Sequence, residues 1–210
     1  MDGKVKELFT DIQLVRKIQN KLPQFFQLAE LESSRAGKVG MEVGSLREKI
    51  LIALVIYKFG EKNVETQIPI TEPEIDVRLF GNPISIKTIT WKTFGGVKLS
   101  WTVDAKSALD FSEKYAPACD MLFIQINWGE KGGFFYIPKN VQIEIFRQMG
   151  RQSYIKLPKP GTNPRGVEMS AEAFVKLLEH KNSLKIEIDW KKKDIAFNAY
   201  TRWVELWEQD

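Results

Sequence analysis

Apolar residues return every three or four positions at the start of the chain: Val5, Leu8, Phe9, Ile12, Val15 and Ile18 share one side of a helix. Phe25, Phe26, Leu28 and Leu31 repeat the pattern beyond Pro23, and the proline predicts a break with a second short helix after it. Residues 33–40 read as a loop, and a long helix is expected over 45–59, stopped by Gly60. The period then falls to two. Strands are expected at 64–68, 74–80 and 84–90, followed by a loop rich in Lys, Thr and Gly over 91–98. A helix over 105–115, an antiparallel hairpin of 121–128 and 134–137, and a helix over 140–149 come next. The last part reads as a loop at 158–166, a helix at 170–180, a strand at 184–190 and a final helix at 194–208. There is no internal repeat and no low-complexity tract.

A helix, three strands, a helix and further strands imply an α/β fold: a mixed central β-sheet flanked by helices, with an N-terminal helical arm. The 210 residues fit a single domain, divided as an arm at 1–40, a core at 41–140 and a C-terminal region at 141–210.

Composition changes this picture little. Lys and Arg exceed Asp and Glu by 31 to 27, a formal charge of +4 that permits a phosphate-binding surface without demanding one. The single cysteine, Cys119, excludes an internal disulfide framework and a zinc ribbon; beside the apolar run 121–126 it reads as a buried thiol. No signal peptide is visible and the run 50–56 is too short to span a membrane, so a cytoplasmic protein without a membrane partner is expected. A P-loop and a dinucleotide glycine fingerprint are missing, and the lone histidine, His180, reads as a solvated helix residue.

The chemistry concentrates in the hairpin at 76–87. Ile75, Val77 and Leu79 share one strand face and Asp76 and Arg78 the other; Ile84, Ile86 and Ile89 supply apolar packing while Ser85 and Lys87 alternate against them. A Gly81-Asn82 turn before Pro83 brings Asp76 toward Lys87. On the preceding helix, Glu48 is the polar residue best placed to project toward this hairpin. Two carboxylates and a lysine on neighbouring elements are what a magnesium-dependent nuclease needs. Each has an ordinary explanation as well. Ser45 and Glu48 match a capping box, Asp76 can be a solvated strand residue, and Lys87 can cover an exposed sheet face. Glu72 and Glu74 stand as substitutes for one metal ligand.

This arrangement resembles the PD-(D/E)XK nuclease superfamily over residues 45–137, with one departure: the position two before the lysine, usually acidic there, is Ser85. Glu48 can replace the missing carboxylate. With Glu48, Asp76 and the main-chain carbonyl of Ile86, Mg2+ would have hard oxygen ligands; Ca2+ or Na+ can occupy such a site without turnover. The spacing of Glu48, Asp76 and Lys87, with Met41 seven residues before the glutamate, resembles the ThaI family of type II restriction endonucleases. That resemblance implies catalysis by Glu48, Asp76 and Lys87, cleavage of CGCG to blunt ends, a homodimer, a cognate DNA methyltransferase as genetic partner, and Met41 wedged into a CG step. From the residues alone, Met41 between Gly40 and Gly44 is either such a wedge or a staple on its own helix.

Further contacts to double-stranded DNA are expected from loops. Lys92, Thr93 and Lys98 flank Gly95-Gly96 as a phosphate-tracking loop, and Arg35 and Lys38 add cations ahead of Met41. Lys159, Asn163 and Arg165 lie in a proline-ordered loop suited to base edges, Arg165 as a reader of guanine. Lys191, Lys192 and Lys193 read as solvated. Trp203, Leu206 and Trp207 on the last helix suit either the core or a homodimer interface. Alternatives to a site-specific enzyme are a repair or junction-resolving nuclease of the same superfamily, or a non-catalytic DNA-binding protein.

Overall fold

The computed structural model describes residues 4–35, 38–72, 74–90, 97–100, 104–158 and 166–209. Helices α1 (Glu7–Thr10) and α2 (Ile12–Glu32) lead through the ribbon β1 (Ser34–Arg35) and β2 (Lys38–Val39) into α3 (Val43–Phe59). The central strands follow as β3 (Val64–Glu65), β4 (Val77–Leu79) and β5 (Asn82–Thr90), then β6 (Lys98–Ser100), α4 (Ala105–Lys114), β7 (Asp120–Ile126) and β8 (Lys131–Ile137). The chain closes with α5 (Lys139–Met149), α6 (Arg151–Tyr154), β9 (Ile155–Lys156), β10 (Val167–Met169), α7 (Ala171–Glu179), β11 (Leu184–Asp189) and α8 (Thr201–Trp207).

Six strands form one mixed sheet in the order β11-β8-β7-β5-β4-β3, in which β5 and β7 run parallel and the other neighbours antiparallel. The parallel pair is joined by a crossover containing α4, as a parallel connection requires. Both faces of the middle strands are covered, which is why β7 is apolar at nearly every position. Leu122, Ile124 and Ile126 pack toward α2 and α3, while Met121 and Phe123 pack toward α5, α7 and the small sheet β6-β10-β9. This is the expected α/β architecture with its N-terminal helices. Among the described residues no helix is long and apolar enough to cross a membrane.

Several local expectations change. Pro23 lies inside α2, which runs unbroken because Leu14, Ile18, Leu22, Phe26 and Ala29 form one buried stripe across it; packing outweighs the lost backbone hydrogen bond. The Asp11 side chain caps this helix by accepting from the N–H groups of Gln13 and Leu14, each at 3.1 Å. Strands at 64–65 and 77–79 are shorter than expected, a two-residue ribbon replaces part of the 33–40 loop, and β9 and β10 fall where no strand was expected. The hairpin turn is Phe80-Gly81, both with positive φ (49° and 78°), and Asn82 and Pro83 already belong to β5. Ile89 faces the same side as Ser85 and Lys87, opposite Ile84 and Ile86, as strict alternation dictates. The last helix covers only 201–207, and none of its residues is buried.

Candidate active site

The β4–β5 hairpin that carries Asp76 and Lys87 owes its shape to a local irregularity. Val77 pairs with Ile84, and the N–H of Asp76 also reaches the Ile84 carbonyl at 3.0 Å, so two consecutive residues meet one of β5 in the manner of a β-bulge. The bulge ends the β4 pairing and turns the Asp76 carboxylate toward the next free backbone donor of β5. Asp76 Oδ2 accepts from the Ile86 N–H at 2.5 Å, from Ser85 Oγ at 3.3 Å and from Lys87 Nζ at 3.5 Å. The side chains of Asp76 and Lys87 are 16% and 22% exposed, sheltered yet reachable from solvent. The N–H and C=O of one strand residue point the same way, so the Ile86 carbonyl lies on the open edge beside that carboxylate.

Glu48 joins this group from α3. The helix begins at Val43, with Glu42 at its N-cap and no side-chain cap, because the backbone already coils at Gly40 and Met41. Ser45 is therefore inside the helix and the capping box does not form, which leaves the Glu48 carboxyl available for other work. Burial raises its pKa above the usual carboxylate value, the Asp76 charge adds to this, and Lys87 and Lys49 oppose it. The coupling to both hairpin residues means that the three groups share one electrostatic neighbourhood. Glu48 and Lys87 border a cleft of about 390 Å³ whose walls also include Ile86 and Lys98. A larger cavity of about 550 Å³ has Asp120 in its wall, but that carboxylate is engaged by Tyr136 Oη at 2.8 Å and the Lys139 N–H at 2.7 Å.

The two substitutes expected for a metal ligand separate. Glu72 is held by the Arg78 guanidinium, away from the cleft. Glu74 points inward near Lys87 and Cys119, and burial lifts its pKa to about 7 despite the lysine. The Cys119 thiol, buried as expected, is pushed up to about 12 by burial first and by Glu74 second.

A buried ion pair that the sequence does not announce fastens Glu48's helix. Arg47 Nη2 donates to Glu30 Oε1 at 2.6 Å and Nη1 to Thr90 Oγ1 at 2.8 Å, tying α3 to α2 and to the end of β5. Glu30 also accepts from Trp128 Nε1 at 2.7 Å and pairs with Lys192 at 3.1 Å. An arginine followed by a glutamate in an amphipathic helix carries no local sign of such a role. Lys192 is thus a partner of Glu30, Lys191 pairs with Asp189 at 2.5 Å, and the Lys193 backbone is held by the Gln27 amide, so the basic turn is anchored rather than merely solvated. His180 is mostly buried, 3.5 Å from Glu144, and its Nδ1 accepts from the Asn182 N–H.

The expected DNA contacts divide in three. Arg35 and Lys38 face each other across the exposed β1-β2 ribbon, and Met41 follows it at 93% exposure, which rules out a staple packed on α3. Lys98 stands on β6 in the cleft wall. Lys92, Thr93, Lys159, Asn163 and Arg165 lie outside the described residues.

The donor chemistry fits a hard divalent cation: two carboxylates and a carbonyl leave room for waters and a phosphate oxygen, the way Mg2+ is usually held. A similar fold occurs in a known nuclease. A solved restriction endonuclease in complex with substrate DNA shares 59% identity over 98% of this chain and 99% of its own, with a TM-score of 0.92. No curated protein matches the chain. The family model for restriction endonuclease ThaI matches residues 8–209, and the chain belongs to that family of restriction endonucleases.

Proposed function

We propose that this restriction endonuclease is a homodimeric, Mg2+-dependent type II enzyme that hydrolyses phosphodiesters in both strands of a short palindromic site, CGCG cut to blunt ends. The observation that carries the catalytic reading is the meeting of Glu48, Asp76, Lys87 and the open Ile86 carbonyl at the point where β4 leaves β5. Asp76 is oriented by the Ile86 N–H and the Ser85 hydroxyl, so its second oxygen is aimed before any substrate arrives. Ser85 thereby takes a supporting role at the position where the wider superfamily carries an acid. Glu48, Asp76 and the Ile86 carbonyl would hold the cation, which supplies charge neutralisation at the phosphate and acidifies bound water. Lys87 stands beside Asp76, where its ammonium group orients the attacking water and offsets the negative charge that develops as the P–O bond breaks.

DNA binding is assigned to the ribbon and cleft. Arg35 and Lys38 neutralise phosphates, Met41 supplies an apolar wedge between bases, and Lys98 with Lys92 and Thr93 tracks the backbone toward the scissile bond. Lys159, Asn163 and Arg165 are proposed as readers of base edges. The solved relative bound to substrate DNA supports a DNA substrate. A two-fold dimer matches a palindrome and brings one site to each strand. The division into an arm at 1–40, a catalytic core at 41–140 and a recognition and dimer region at 141–210 belongs to the same reading.

Digestion of plasmid DNA with Mg2+, followed by sequencing of fragment ends, tests this. Discrete fragments ending within CGCG support it. Smearing or a preference for branched DNA favours a repair-type nuclease, and intact DNA with every divalent ion overturns the catalytic reading.

A further inference from the structure

Helix α8 has no cover of its own. Tyr200, Trp203, Val204 and Trp207 recur at helical spacing and form one apolar stripe, yet all are exposed, Trp203 by 57% and Trp207 by 89%. A seven-residue helix without a side-chain cap is too short to hold itself in water. Its four aromatic neighbours, Phe197 included, present on the order of 500 Å² of apolar surface. Such an arm calls for a partner surface.

The same chain offers a surface of matching chemistry. A groove of about 480 Å³ runs between α2 and α3, floored by Ile18, Leu22, Phe25, Ile50 and Leu54, with Ala53 at its exposed lip. Lys17 and Lys21 stand on its rim. The arm bears Glu205 and Glu208 beside its apolar stripe, and among the described residues neither of these, nor Lys21, has an ion-pair partner. Apolar stripe on apolar floor and acid on base is therefore a complementary fit. The chain leaves its own body at Lys193, clamped by Gln27, which points about 200° around α2 from the groove residue Phe25. The arm thus departs from the flank of α2 opposite its own groove.

We propose that α8 of one protomer docks in the α2–α3 groove of a second copy, and reciprocally. Two arms and two grooves together cover about 1,500 Å², within the size of stable interfaces. This rests on the homodimer of the preceding reading and not on the catalytic residues, so plasmid cleavage by the unaltered protein tests those separately.

The test is sedimentation equilibrium of the full chain without DNA or metal. The unaltered protein is expected to be a dimer. Trp203→Ala with Trp207→Ala, and separately Ala53→Glu at the exposed groove lip, each raise the dimer dissociation constant by about 30-fold or more. Circular dichroism checks that the variants stay folded. Lys17→Glu with Lys21→Glu weakens the dimer, and adding Glu205→Lys with Glu208→Lys restores it. A monomeric unaltered protein, a dimer indifferent to Ala53→Glu, or failure of the charge exchange to restore assembly would each overturn the docking.

Discussion

Replacing Arg47 with methionine removes the guanidinium that ties α3 to both α2 and β5, and the size of the loss follows from who remains. Glu30, buried, still has Trp128 Nε1 at 2.7 Å and Lys192 at 3.1 Å, so the cost belongs near the lower end for breaking a buried pair, about 3 kcal/mol. Glu30→Leu is worse. It leaves Arg47 with Thr90 alone, and Nε already lacks a hydrogen-bond partner, so about 5 kcal/mol is expected. Burial holds the Arg47 pKa below its ordinary value even with Glu30 present, which shows how much the guanidinium depends on that carboxylate. Replacing both by Leu and Met removes the charges together and costs about 2 kcal/mol, since Trp128 Nε1 loses its acceptor. Urea denaturation measures all three, and the single changes lower Tm by roughly 6–12 °C and 10–20 °C. Because the double variant keeps its core but loses the link from α3 to Thr90, Glu48 drifts and turnover falls about 100-fold at unchanged DNA affinity. Additive single costs, or a double variant with undiminished turnover, would refute the claim that this pair positions Glu48.

Asp76→Asn retains an acceptor for the Ile86 N–H but not the charge, so stability changes by less than about 1 kcal/mol while single-turnover cleavage falls about 10³-fold. Glu74 gives a pH signature: its pKa rises from 4.5 to about 7 on folding, so the folded state binds the extra proton in that window. Stability is therefore lost as pH rises through it, by about 2 kcal/mol after allowance for partial exposure, and Glu74→Gln flattens the profile in calorimetric scans at pH 5 and pH 8. Met41→Ala leaves Tm unchanged, because the side chain has almost no intramolecular contact to lose, and abolishes the preference for specific over random DNA in a competition assay. A large drop in Tm would show instead that the methionine packs.

The Asp76–Lys87 hairpin was readable from the chain because its relations are local. Two apolar alternations and a glycine turn determine which side chains can meet across two adjacent strands, even though the turn itself proved to be Phe80-Gly81. The apolar stripe of α2 was readable too, but its continuity through Pro23 was not, since only the packing of Leu22 and Phe26 against the sheet outweighs the proline's local preference. Glu48 was ambiguous for a similar reason: Ser45 and Glu48 match a cap equally well, and where α3 actually starts decides between cap and site. Arg47 with Glu30 and Trp128, and the exposure of Trp203 and Trp207, left no local trace at all. Sequence by itself determined strand faces, helix stripes and the acid and amine of one hairpin, because bonded geometry acts over a few residues. The third group of the candidate site, the buried pair that holds its helix and the arm left uncovered were decided by tertiary structure, because they depend on which distant segments come to lie against each other.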